Sequence, residues 1–115
     1  MHGRVDLVAI TRRFRQAVNM TAAEIKAWLR TPESKAVGFK YPGATESVGR
    51  QSARKIIRLL RQGPRTAADY AHMRKVIGYV ARHTAQRPRG DVRRTPWRRS
   101  LKNWGHDPLR RRGPI

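Results

Sequence analysis

The fold class is decided by one stretch, Ser47-Val48-Gly49-Arg50-Gln51-Ser52-Ala53-Arg54-Lys55-Ile56-Ile57-Arg58-Leu59-Leu60-Arg61-Gln62, then Gly63-Pro64-Arg65-Thr66, then Ala67-Ala68-Asp69-Tyr70-Ala71-His72-Met73-Arg74-Lys75-Val76-Ile77-Gly78-Tyr79-Val80. Ala53, Ile56, Ile57 and Leu60 recur three or four apart and predict a helix over 47–62. Gly63-Pro64 is a helix stop. Thr66 then caps a second helix, with Asp69 in its first turn. Tyr70, Met73, Val76, Ile77, Val80 and Thr84 line one face of residues 67–85. Two helices joined by so short a connection are compatible with a helix-turn-helix unit.

Working outward, Leu7, Ile10, Phe14 and Val18 predict a helix over 5–19. Thr21-Ala22-Ala23-Glu24 is a capping box that starts a short helix with Ile25, Trp28 and Leu29 on its buried face. Thr31-Pro32 ends that helix, and Pro32 opens a further single turn. Residues 38–49, with three Gly and one Pro, read as a loop. Arg87-Pro88-Arg89-Gly90 is a turn, and Thr95-Pro96 starts a last helix with Trp97, Leu101 and Trp104 on one face, closed by Gly105. No strand-like alternation or internal repeat is visible. The expectation is an all-α domain of four or five short helices over residues 1–109, centred on the 67–85 helix with the Trp97–Trp104 helix packed on it. Residues 110–115 are expected to form a basic mobile tail.

Composition sets the limits. The chain has 115 residues, and its 27 Lys and Arg against 7 Asp and Glu give a formal charge of +20. Only 22 residues are Ile, Val, Leu or Phe, so a large core is excluded. No run approaches the ~18 apolar residues of a membrane span. With no Cys there are no disulfides or thiolate metal sites, which suits a reducing compartment. No secretory signal is expected, and a cytoplasmic or nucleoid-associated location is.

A chain at this charge repels itself unless a polyanion neutralises it. Nucleic acid is the first candidate, because phosphate contacts release counterions. Arg outnumbers Lys 21 to 6, and guanidinium suits phosphate and guanine better than a point charge does. A GC-rich coding sequence also enriches Arg. Arg50, Arg54, Arg58 and Arg61 project within ~80° of one another on a 3.6-residue helix and form the expected phosphate stripe. Arg12, Arg13, Arg98 and Arg99 supplement it. On the 67–85 helix, Lys75, Arg82, His72, Tyr79 and His83 could reach base edges, although Tyr79 could equally cover the core. Trp97 and Trp104 could stack on bases, but their spacing reads more simply as core. Engagement of six to ten phosphates implies an affinity loss of ~10³–10⁵ between 50 and 200 mM salt.

Catalysis is not expected. The four His are scattered, no metal-ligand spacing is present, and the seven acids are dispersed. No cofactor, metal or membrane partner is expected. The alternative function is a basic assembly module of a larger ribonucleoprotein or multi-subunit complex, docked on an acidic protein partner or RNA.

One further set of residues carries a resemblance. It comprises Met20-Thr21 through Trp28-Leu29, Ser34-Lys35-Ala36-Val37-Gly38, Glu46-Ser47-Val48-Gly49, Asp69 to Val80, Gln86-Arg87-Pro88 with Gly90-Asp91-Val92, Trp97, Ser100-Leu101 and Asn103-Trp104-Gly105-His106-Asp107-Pro108. The chain resembles a family of small proteins of unknown function found in bacteria and fungi, whose members are often labelled DNA-binding proteins. The resemblance implies that the segments around Gly90-Asp91 and Trp104–Asp107 belong to the folded unit, with Asp91 and Asp107 as internal partners for Arg or for a helix start. Arg93-Arg94, Arg98-Arg99 and Arg110-Arg111-Arg112 exceed the family pattern.

Overall fold

The computed structural model describes residues 2–110, which form six helices and, among the described residues, no strand. The helices are α1 (His2–Ala17), α2 (Ala22–Leu29), α3 (Pro32–Lys35), α4 (Val48–Gln62), α5 (Ala67–Thr84) and α6 (Pro96–Asn103). The count exceeds the expected four or five because the turn opened by Pro32 is a helix in its own right. Thr31 accepts from the Ser34 amide and caps it.

The starts of the helices follow from side-chain caps. Thr21 and Glu24 exchange bonds with each other's backbone amides at 3.1 and 2.8 Å, a complete capping box. Thr66 and Asp69 repeat it at α5. Ser47 and Thr95 cap α4 and α6. Each cap satisfies an amide that has no partner within the helix.

The helices pack largely as two pairs. α5 lies mainly on α1, and α2 lies mainly on α4. α4 and α5 touch over a short length only, so packing does not single them out as a unit. Nor does α6 belong chiefly to α5: it meets α2, α3 and α4 more extensively and joins the two helix pairs. The reason is chemical, since Asn103 bonds Trp28 of α2 and Ser34 of α3, while Trp97 bonds the His83 carbonyl of α5. The core comprises Ile10, Phe14 and Val18 from α1, Ile25 and Leu29 from α2, Ala53, Ile56 and Leu59 from α4, and Met73, Val76 and Val80 from α5, closed by Trp104. Most of these lie on the apolar stripes that the sequence spacing predicts, with Leu59 buried where the stripe has Ile57 and Leu60, which pack against the core from its edge.

The segment after α6 is tied down. Gly105 has φ +79°, and a Cβ there would lie 3.0 Å from Val18 Cγ1. Only Gly combines that backbone with such close approach. His106 Nδ1 lies 2.8 Å from the Ala17 carbonyl oxygen, and Asn19 exchanges two bonds with the Asp107 backbone. Arg110, placed at the start of the expected tail, bonds Glu24 and the Asn19 carbonyl. The remainder of that tail, 111–115, lies outside the described residues.

Candidate nucleic-acid interface

The four arginines of the expected stripe go to three different environments. Arg50 is only 6% exposed. Its Nη1 donates to the Leu29 carbonyl at 2.8 Å and to Ser34 Oγ at 2.7 Å, and its Nη2 lies 3.1 Å from Glu46. Arg50 is therefore a structural cation and does not face a phosphate. The helix pattern could not show this, because α2 and α3 cover that end of the α4 face. Arg58 turns to the N-terminus of α5 and binds Asp69 through both nitrogens, the shorter bond being 2.6 Å. That pairing, with the Arg65 amide, holds the Asp69 carboxyl well below the usual range.

Arg54 and Arg61 remain together at the surface. With Lys26 of α2 and Arg30, the residue that follows that helix, they surround a groove of about 360 Å³ also lined by Leu29 and Ile57. Lys26 and Arg30 were missed by the sequence reading. Their i, i+4 spacing beside the buried Ile25 and Leu29 was the available signal. Arg54 also chelates Glu46 at 2.9 and 2.7 Å, yet its side chain is still 56% exposed. The Arg54 bond, with help from Arg50, lowers the Glu46 pKa against the opposing effect of burial. Glu46, which meets the groove through Arg54, is thus already neutralised.

The supplementary residues do not join this groove. Arg12 lies with Arg15 along an open apolar groove of about 650 Å³ lined by Leu7, Val8 and Tyr70 between α1 and α5. Arg13 is exposed elsewhere on α1, and Arg99 is half-buried on α6. Arg98 is held by Asp107 at 3.0 and 2.9 Å and by the Arg93 carbonyl, so it fastens the C-terminal segment. Asp107 is thereby an internal partner. Asp91 pairs with Arg93, two residues on, at the surface. Lys75 and Arg82 stand at a cleft of about 270 Å³ with Phe39, Tyr41, Tyr79 and Trp104.

Of the groups that could have read base edges, the three with rings, His72, Tyr79 and His83, are engaged internally. Tyr79 is nearly parallel to His83 and to Trp104, with centroids 3.7 and 4.1 Å away. Two parallel rings that close must occupy opposite faces, so neither face of Tyr79 is open to a base. Trp97 donates from Nε1 to the His83 carbonyl. His72 Nε2 lies 2.9 Å from Ser52 Oγ, and burial, reinforced by Lys55 and Lys75, lowers its pKa to about 4.

A second polar cluster sits inside. Asn103 accepts from Trp28 Nε1 at 2.8 Å and from Ser34 Oγ at 2.6 Å, and donates to the Ser34 carbonyl. With Arg50 this network joins α2, α3, α4 and α6, and no buried side-chain polar atom among the described residues lacks a partner. Complete satisfaction is what lets such a network exist in a small core. It accounts structurally for Ser34, Glu46 and Asn103. Gly49 completes the fit, since a Cβ there would lie 3.0 Å from Trp104 Nε1. No group of three or more metal-ligating side chains occurs among the described residues.

Taken together, these features define a small basic all-helical protein. Residues 13–102 match a family described as proteins of unknown function, DUF3140, and the chain belongs to that family. No curated protein and no solved structure matches it. Among the described residues no helix is long and apolar enough to cross a membrane.

Proposed function

We propose that this protein binds nucleic acid, with DNA the first candidate, through arginine–phosphate contacts of low sequence specificity. The reading is carried by the α2/α4 groove, where Lys26, Arg30, Arg54 and Arg61 converge around one concave surface. Four cations on two facing helices suit a backbone bearing regularly spaced phosphates. Low specificity follows from the engagement of Tyr79, His83 and Trp97 within the fold. The net charge of +20 adds long-range attraction.

The burial of Arg50 and the pairing of Arg58 and Arg98 reduce the number of phosphates engaged below the six to ten expected from the sequence. Four contacts give a salt slope near −3.6, so duplex affinity should fall roughly 10²-fold between 50 and 200 mM salt. Anisotropy titrations of a labelled duplex measure this. A Lys26→Gln, Arg61→Gln double variant should flatten the slope by about 2. No binding at low salt, or a slope indifferent to these changes, overturns the reading.

A further inference from the structure

Phe39 and Tyr41 are 63% and 61% exposed, although both rings are large and apolar. They do not sit on a slack loop. Val48 N–H donates to the Phe39 carbonyl at 2.8 Å, which ties Phe39 to the start of α4, and Ala44 N–H donates to the Tyr41 carbonyl at 3.0 Å, which closes a turn at Tyr41. The rings meet edge to face, with centroids 4.8 Å apart and planes at 84°. Two exposed aromatics held in a set geometry offer open π-faces at the mouth of the 270 Å³ cleft. Lys75 and Arg82 supply cations on its other side.

A chain of shared residues links this cleft to the basic groove. Arg54 reaches from the groove to Glu46. Glu46 lines a hollow of about 340 Å³ together with Lys35, Lys40 and Gly38. Gly38 in turn borders the aromatic cleft. Lys35 and Lys40 line the hollow that lies between the two sets of cations in this chain of shared residues. The acid on this path, Glu46, is bonded to Arg50 and Arg54.

We infer that the aromatic cleft takes an unpaired nucleobase, and that the whole path holds a single strand in preference to a duplex. The inference rests on the nucleic-acid reading above and narrows it. A backbone-tracking basic groove with open aromatic faces is the chemistry of single-strand binding, because every base has a π-face to stack. In a duplex those faces are stacked on neighbours.

The experiment compares a 20-nucleotide mixed-sequence single strand with its duplex, by anisotropy at 50 mM salt, for the full chain and for a Phe39→Ala, Tyr41→Ala double variant. The wild type should bind the single strand at least ~10-fold more tightly than the duplex. The double variant should lose ~10–100-fold on the single strand and change less than twofold on the duplex. A Phe39→Trp, Tyr41→Trp variant should keep single-strand affinity, and circular dichroism melting should be unchanged in both variants because both rings are exposed. Equal affinity for the two forms, or a double variant that binds single strands as the wild type does, overturns the inference while leaving phosphate binding standing. No binding of either form overturns both.

Discussion

Asn103 is 1% exposed and makes three hydrogen bonds, to Trp28, to Ser34 Oγ and to the Ser34 carbonyl. Nothing in its local sequence distinguishes it from a solvated helix terminus, so its role appears only when α2 and α3 are brought beside α6. Arg50 is the same case with a charge: it reads as one of a stripe of four and proves to be an interior donor. His72 has a consequence that can be measured. Its folded pKa of about 4 lies below the ordinary 6.5, owing to burial and then to Lys55 and Lys75. The unfolded chain therefore binds the proton first as pH falls. Stability contributed by the neutral imidazole is present above pH 6.5 and is lost progressively between 6.5 and 4. Since His72 is half-buried, solvent access reduces the full linkage to about 1–2 kcal/mol. Urea denaturation across that range should show this decline in the wild type and a smaller one in His72→Gln. Equal pH dependence in the two proteins would refute the assignment.

At the scale of elements, the caps and the apolar spacings carried most of the information. Thr21, Thr66 and Thr95 each mark a helix start in the sequence and each accepts the expected amide in the structure. Such bonds are local, formed within four residues, and need no tertiary partner. The α5 cap gives the prediction for this scale. Thr66→Ala removes the acceptor for the Asp69 amide and should cost about 1 kcal/mol, lowering the melting temperature by roughly 4–8 °C. Thr66→Ser should restore most of the loss. If the Ala variant melts as the wild type does, the capping box does not stabilise α5. What the elements did not disclose was their pairing. The four-residue connection 63–66 is compatible with a helix-turn-helix unit, whereas α4 and α5 pack mainly on helices distant in sequence, α2 and α1 respectively.

For the whole molecule the dominant quantity is charge. Six arginines, among them Arg54, Arg58 and Arg98, pair with only five carboxylates among the described residues. Most of these pairs are at least partly exposed, and each such pair is worth about 0–1 kcal/mol. Self-repulsion at +20 acts against the compact state throughout. Salt screens both, with a Debye length of ~10 Å at 0.1 M, and repulsion is the larger effect here. The isolated protein should accordingly gain about 1 kcal/mol, seen as ~4 °C or more in melting temperature, between ~20 and ~500 mM sodium chloride. A falling melting temperature would mean that the ion pairs outweigh the repulsion. Salt should thus strengthen the fold while weakening phosphate binding, which separates the two effects.

The helical class, the helix starts, the core stripes and the cationic surplus were fixed by residues close together in the chain. They depend on 3.6-residue periodicity, on caps that close within four residues and on composition, none of which requires a partner from afar. Which arginines face outward, how Lys26 and Arg30 come to stand across from Arg54 and Arg61, and why Phe39 and Tyr41 remain uncovered were decided by tertiary packing. The direction of a long polar side chain is set by what lies opposite it, and here that neighbour comes from another helix.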